Sequence, residues 1–146
     1  MADLRIAGYA SIFNVPDQGG DTVRQGAFAG ARAPLPLLWQ HDTREPVGFV
    51  EQLSEDARGL RIVARVVDAG RGGDAAALVR AGAISGLSFG YRVKVARPGS
   101  AARPGRAGRD LAQLELIEVS LVTFPMQPLA RILGFSSVAE ETMNDL

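Results

Sequence analysis

The sequence contains no cysteine, which excludes disulfide stapling, thiolate metal sites and cysteine-based nucleophilic catalysis. It has one histidine, His41, so a multi-histidine metal centre is excluded as well. A carboxylate-only Mg²⁺ or Ca²⁺ site stays open, but there is no D-x-D-x-D-G loop to support one. No apolar run approaches the roughly 20 residues that a membrane-spanning helix needs. The opening Met1-Ala2-Asp3-Leu4-Arg5 lacks the basic-then-apolar layout of a signal peptide, so the cytoplasm is the expected compartment. Lysine is almost missing too: Lys94 is the only one, and arginine supplies the rest of the basic charge. Sixteen basic and sixteen acidic residues cancel, which leaves no electrostatic footprint for a nucleic-acid partner.

What is present suits one globular domain. The chain has 146 residues, 47% of them hydrophobic, enough for a single core. Arg5 to Phe13 alternates as a strand does, and Asn14 to Asp21 is a loop by its Pro16, Asp17, Gly19 and Gly20. Leu35 to Gln40 is a short apolar run leading into His41, and Thr43 to Pro46 reads as a turn. Val47–Leu53 and Gly59–Val67 predict a strand pair, with Leu60, Ile62, Ala64 and Val66 on one face of the second. Asp74 to Ala81 predicts a helix, with Asp74 as N-cap and Gly82 as the stop. Leu87–Val95 and Leu111–Thr123 return to strand character. Between them, Arg97 to Arg109 has two prolines, three glycines and no large apolar side chain, and is expected to be a flexible loop. Six or seven short strands, one helix and no βαβ rhythm argue for an α+β barrel or sandwich.

Gly86-Leu87-Ser88-Phe89-Gly90 matches G-x-S-x-G, the nucleophile elbow of α/β-hydrolases. The context is wrong for that fold. An elbow follows a strand, precedes a helix and has its histidine downstream, whereas here a helix precedes Ser88 and His41 lies upstream. A histidine-before-serine arrangement remains open. Serine needs a base to attack a carbonyl, an imidazole with a pKa near about 6.5 suits that role, and a third group must hold its tautomer. His41 is the only histidine available for it. Read plainly, His41 could equally be a non-catalytic core or surface residue, Ser88 a tight turn between glycines, and Ser85 a competing hydroxyl.

Six blocks add a resemblance. They are Gly8-Tyr9-Ala10-Ser11-Ile12-Phe13-Asn14, Gly26-Ala27-Phe28, Leu37-Leu38-Trp39-Gln40-His41-Asp42, Glu45-Pro46-Val47-Gly48, Gly86-Leu87-Ser88-Phe89-Gly90-Tyr91 and Glu118-Val119-Ser120-Leu121-Val122-Thr123-Phe124-Pro125. In this order they resemble the tailed-phage prohead proteases, procapsid maturation serine proteases related to herpesvirus assemblin. The resemblance implies Ser88 as nucleophile and His41 as its base. It also implies an acidic third member after the serine, which falls on Glu118. A carboxylate inside an apolar strand is costly unless paired, and a bond to the imidazole would account for it. Glu115 and Asp42 are its rivals. Glu115, at an odd offset from Glu118, should face the other side of the strand, and Asp42 could instead be a turn residue bonding local amides. Backbone amides near Phe124-Pro125-Met126-Gln127 are candidates for the oxyanion hole.

The implied fold is mainly β: an assemblin-like closed antiparallel β-barrel with a few flanking helices over residues 1–135, followed by a loose polar tail at 136–146. The implied activity is serine endopeptidase cleavage of a scaffold protein, or of the scaffold-like arm of the major capsid protein, and of the protease itself. It would take place inside the assembling procapsid, in the bacterial host cytoplasm. No cofactor, nucleic acid or membrane is implied, and a homodimer is compatible with the family. The Arg97–Arg109 loop reads as a solvated loop, with an acidic-scaffold docking arm or a self-cleavage site as further readings. The alternatives from other classes are a non-catalytic scaffold-binding module of the same fold and a carboxylate-based metal hydrolase.

Overall fold

A computed structural model describes residues 2–99 and 108–138 of the chain. Among these residues, eight strands and one helix run in the order β1 (Leu4–Ile12), β2 (Asp21–Val23), β3 (Leu35–Trp39), β4 (Asp42–Glu55), β5 (Gly59–Val66), α1 (Arg71–Arg80), β6 (Gly86–Pro98), β7 (Arg109–Val122) and β8 (Ile132–Ser137). The alternation read from β5 is realised: Leu60, Ile62, Ala64 and Val66 are fully buried while Arg61 is exposed. Each large aliphatic side chain so buried contributes about 1.5–3 kcal/mol. With Leu4 and Ile6 of β1, Val47 and Val50 of β4, Leu87 of β6 and Leu111, Val119 and Leu121 of β7, they form one core.

All eight strands belong to one sheet. β3, β4, β5, β1 and β8 follow one another as antiparallel neighbours. β7 is the hub. One of its edges carries β6 along a ladder from Gly86↔Val122 to Pro98↔Arg109. Its other edge is shared in parallel by β2 at Asp21↔Arg109 and by β3 at Leu37↔Val119. The expected closed antiparallel barrel is therefore corrected in two respects. Two pairings are parallel, and the sheet is not closed by a ladder. Among the described residues, β6 and the start of β8 meet at the bridge Gly86↔Arg131, flanked by bonds from the Leu87 N–H to the Ala130 carbonyl and from the Ile132 N–H to the Ser85 carbonyl. One helix, not several, is found among the described residues.

Other boundaries move for local reasons. The helix begins at Arg71, with Gly70 (φ 53°) in the cap position, so Asp74 lies in its first turn. Gly82 (φ 78°) ends it, as expected. Thr43–Pro46 is not a turn: it lies inside β4, and the chain reverses at Gln40–His41. The ends of the expected 97–109 loop continue the β6–β7 ladder, with Arg97↔Asp110 and Pro98↔Arg109 paired. Residues 100–107, on which the docking-arm and self-cleavage readings fall, lie outside the described residues. β8 is an element the sequence reading did not contain. Its last residues, Ser136 and Ser137, fall within the expected loose tail and pair instead with Arg5 and Leu4. The remainder of the tail, 139–146, is also outside the described residues.

Candidate active site

His41 sits on a two-residue connection. Trp39 at the end of β3 pairs with Asp42 at the start of β4, leaving only Gln40 and His41 between them. Both have positive φ, 51° and 61°, as primed hairpin turns demand. Neither is glycine, so each incurs about 1–2 kcal/mol of backbone strain. Bonds to β7 and the residue after it offset this strain. The Gln40 N–H donates to the Leu121 carbonyl at 2.9 Å. The His41 N–H donates to Ser120 Oγ at 3.1 Å. The Gln40 side chain meets Thr123 twice, Nε2 donating to Oγ1 at 2.7 Å and Oε1 accepting from the Thr123 N–H at 3.2 Å.

This turn sets the imidazole against a buried carboxylate. His41 Nδ1 lies 2.5 Å from Glu118 Oε1, with the histidine side chain 42% exposed and the glutamate 9%. The other oxygen, Oε2, accepts from Ser120 Oγ at 2.7 Å. Ser120 thus bonds both partners at once, with its hydroxyl on Glu118 and its lone pair on the His41 amide. The buried carboxylate is satisfied at both oxygens, which is the condition for keeping a charge in a strand interior.

Ser88 enters from the opposite side of β7. It pairs with Ser120 across the β6–β7 ladder, and opposed residues of an antiparallel pair share a face. Ser88, itself buried, lines a cavity of about 160 Å³ together with His41. Ile12, Val15, Val23, Leu87, Phe89 and Leu111 make most of its wall apolar, while Asp17, Asp21 and Tyr91 add polar groups. Burial raises the Asp17 carboxyl and the Tyr91 hydroxyl above their ordinary values. Met126 and Gln127 also line the cavity. Gln127 ties its segment to the loop after β1 by donating from Nε2 to the Val15 carbonyl at 3.0 Å.

The two glycines of the Gly86–Gly90 block make close approaches possible. A Cβ on Gly90 would stand 2.5 Å from Glu118 Oε1 and 3.0 Å from its Cδ. The carboxylate therefore occupies the space that a side chain at 90 would fill. A Cβ on Gly86 would meet the Val122 carbonyl at 2.6 Å and Pro125 Cδ at 2.8 Å, so Gly86 lets the segment after β7 pack against β6.

The rivals are placed elsewhere. Asp42 Oδ1 accepts from the Arg44 N–H at 2.9 Å and pairs with Arg44 Nε at 3.3 Å. These contacts hold its carboxyl below the ordinary value, the amide bond being the larger cause. Glu115 is exposed and lies across from Arg92, lining a separate surface groove with Lys94. Ser85 Oγ accepts from Arg131 Nη1 at 3.2 Å and is not among the residues lining the cavity that holds His41. Among the described residues no group of three or more histidine, aspartate or glutamate side chains is placed to hold a metal ion. The sequence reading missed Ser120, Gln40 and Thr123. Ser120 had a signal: a second polar residue two positions from Glu118, hence on the same face of an apolar strand.

Comparison with known proteins shows the family and the fold. The caudovirus prohead serine protease family matches residues 2–145, and the chain belongs to that family. It is 34% identical over 147 residues to the prohead protease of Enterobacteria phage HK97, covering 95% of this chain and 64% of that protein. It is 29% identical over 143 residues to the capsid polyprotein of Pseudomonas phage PAJU2, covering 93% of this chain and 20% of that one. The chain thus spans under two thirds of the length of each. Among solved structures, the fold is similar to KSHV protease in complex with a hexapeptide phosphonate inhibitor (TM-score 0.64, 12% identity, 93% of this chain and 66% of that one). It is also similar to varicella-zoster virus protease (TM-score 0.57, 15% identity, 91% and 64%).

Proposed function

We propose that the chain is a serine endopeptidase of procapsid maturation, with Ser88 as nucleophile, His41 as general base and Glu118 as the group that orients His41. The observation that carries this reading is the His41 Nδ1–Glu118 Oε1 contact beside a cavity that Ser88 also lines. With Nδ1 held by the carboxylate, Nε2 is the nitrogen that can accept a proton. Ser88 Oγ attacks the scissile carbonyl carbon as His41 Nε2 takes its proton. Glu118 stabilises the resulting imidazolium. The tetrahedral intermediate collapses as His41 returns the proton to the leaving amine. A water then attacks the acyl carbon as His41 Nε2 takes its proton, and the second tetrahedral intermediate breaks its bond to Ser88 Oγ as His41 returns the proton to that oxygen.

The oxyanion needs donors, and removing one such donor typically costs about 10²–10³ in rate. Met126 and Gln127 reach the cavity, so their backbone amides are the candidates; Pro125 has no N–H to give. The substrate proposed is a scaffold protein or the scaffold-like arm of a major capsid protein, together with the protease itself, cleaved within the procapsid in the host cytoplasm. Support comes from the names of the two phage relatives, a prohead protease and a capsid polyprotein. A homodimer belongs to the same proposal.

The test is mass spectrometry of the capsid protein co-expressed with this chain or with its Ser88→Ala variant. A truncated capsid protein should form only with the unaltered chain. Truncation that continues with Ser88→Ala would move the nucleophile elsewhere, and an unchanged thermal melt of that variant excludes misfolding as the cause of any loss.

A further inference from the structure

We infer that the Gln40–Thr123 side-chain pair is a positioning device for His41, a clamp outside the reacting groups that keeps the imidazole on Glu118. The inference rests on the proteolytic reading for its rate effect but not for its structural one. The imidazole belongs to a turn whose two residues both have positive φ. Positive φ is uncommon for any residue but glycine, and glutamine is not among the residues enriched there, so something outside the turn must hold it. The flanking strands alone do not suffice as an explanation, because register irregularities fall between Leu37 and Leu38 and between Leu38 and Trp39, just before the turn.

The enforcement comes from β7 and the residue after it. Gln40 closes a ring with Thr123, its amide donating to the hydroxyl and accepting from the backbone N–H of the same residue. Its own N–H bonds the Leu121 carbonyl. Residue 40 is therefore tied at three points to residues 121–123, and residue 41 at its amide to Ser120. β7 also carries Glu118. Carboxylate and imidazole are thus fixed to a common strand, and the clamp sets the distance between them. Thr123 and Gln40 are both exposed. Their pairing buries no core surface, which favours a positioning role over one in holding the fold.

Two variants test the clamp: Thr123→Val, which removes the accepting hydroxyl at nearly constant shape, and Gln40→Asn, which tolerates positive φ but is too short to reach Thr123. Thr123→Ser is the conservative rescue. The first readout is the rate at which a serine-directed phosphonate labels the full chain. The second is the His41 Nδ1 proton resonance, unambiguous because the chain has a single histidine. Thr123→Val and Gln40→Asn should slow labelling about tenfold to a hundredfold and broaden or shift that resonance, with the thermal melt little changed. Thr123→Ser should restore both. Wild-type labelling and an unaltered resonance in the two disruptive variants would overturn the inference, as would a loss that Thr123→Ser fails to restore. If the unaltered chain does not label at all, the proteolytic reading fails, and the resonance alone still decides the clamp.

Discussion

Gly90 lies directly across the β6–β7 ladder from Glu118, and the carboxylate fills the place where a side chain at position 90 would begin. The serine's strand and the histidine's carboxylate are thereby coupled. Gly90→Ala puts a methyl group 2.5 Å from Oε1, so the carboxylate must swing away from His41. The expected result is a fall of about 10²-fold in cleavage or phosphonate labelling, with secondary structure retained. Kinetics of the variant beside Glu118→Gln check this, since both changes act on the same contact and the double variant should be little worse than Glu118→Gln alone. Fully additive losses would separate Gly90 from the carboxylate.

Ser120 is the second support. Ser120→Ala removes the donor to Glu118 Oε2 and the acceptor of the His41 N–H together. A hydrogen bond to a charged group contributes about 1.5–3 kcal/mol, so the variant should unfold at lower denaturant concentration with an unchanged slope. Activity should fall by more than the lost folded fraction explains. Chemical denaturation followed by rate measurement under fully folded conditions separates the two effects.

Asp17, on the wall of the cavity, gives a pH signature. Burial raises its carboxyl above the ordinary 3.8, outweighing the amide hydrogen bonds from Asp21, Gly19 and Gly20 that act the other way. An acid with a raised folded pKa binds its proton more tightly in the folded state. Its contribution to stability is therefore largest below the unfolded value and is lost as pH rises through the folded value. Asp17→Asn should keep the bonds from the Gly19 and Asp21 amides, since Asn also offers an acceptor oxygen, while removing this dependence. Thermal melts between about pH 3 and 7 should show the variant gaining on the unaltered chain as pH rises. A constant difference would contradict the assignment.

Much of the candidate site was legible in the sequence because its chemistry is concentrated in scarce residues. One histidine left one candidate base, and a carboxylate in the apolar run Leu114–Val122 drew attention because an unpaired charge there is costly. β1 and the β4–β5 hairpin were legible from alternation, and the helix from its alanines and its Gly82 stop. The turn that carries His41 was not. Gln40-His41 has no turn composition, and its conformation is imposed by Leu121, Ser120 and Thr123, about 80 residues away in sequence. Thr43–Pro46 misled in the opposite sense: Pro46 sits in β4 where the pairing with β3 is irregular, a position that tolerates a missing N–H. β2 is three residues long within a Gly/Asp-rich loop, too short for periodicity to register. β8 and the parallel contacts of β7 follow from long-range pairing, to which local pattern is blind.

Proteolysis by this chain requires that the imidazole on the β3–β4 turn activate the hydroxyl on β6. Treating the full chain with a serine-directed phosphonate, followed by peptide mass spectrometry, tests this most directly. One equivalent of label is expected on Ser88, and almost none in a His41→Ala variant that melts normally. A label on Ser85 or another hydroxyl, or undiminished labelling of Ser88 without the histidine, would contradict it.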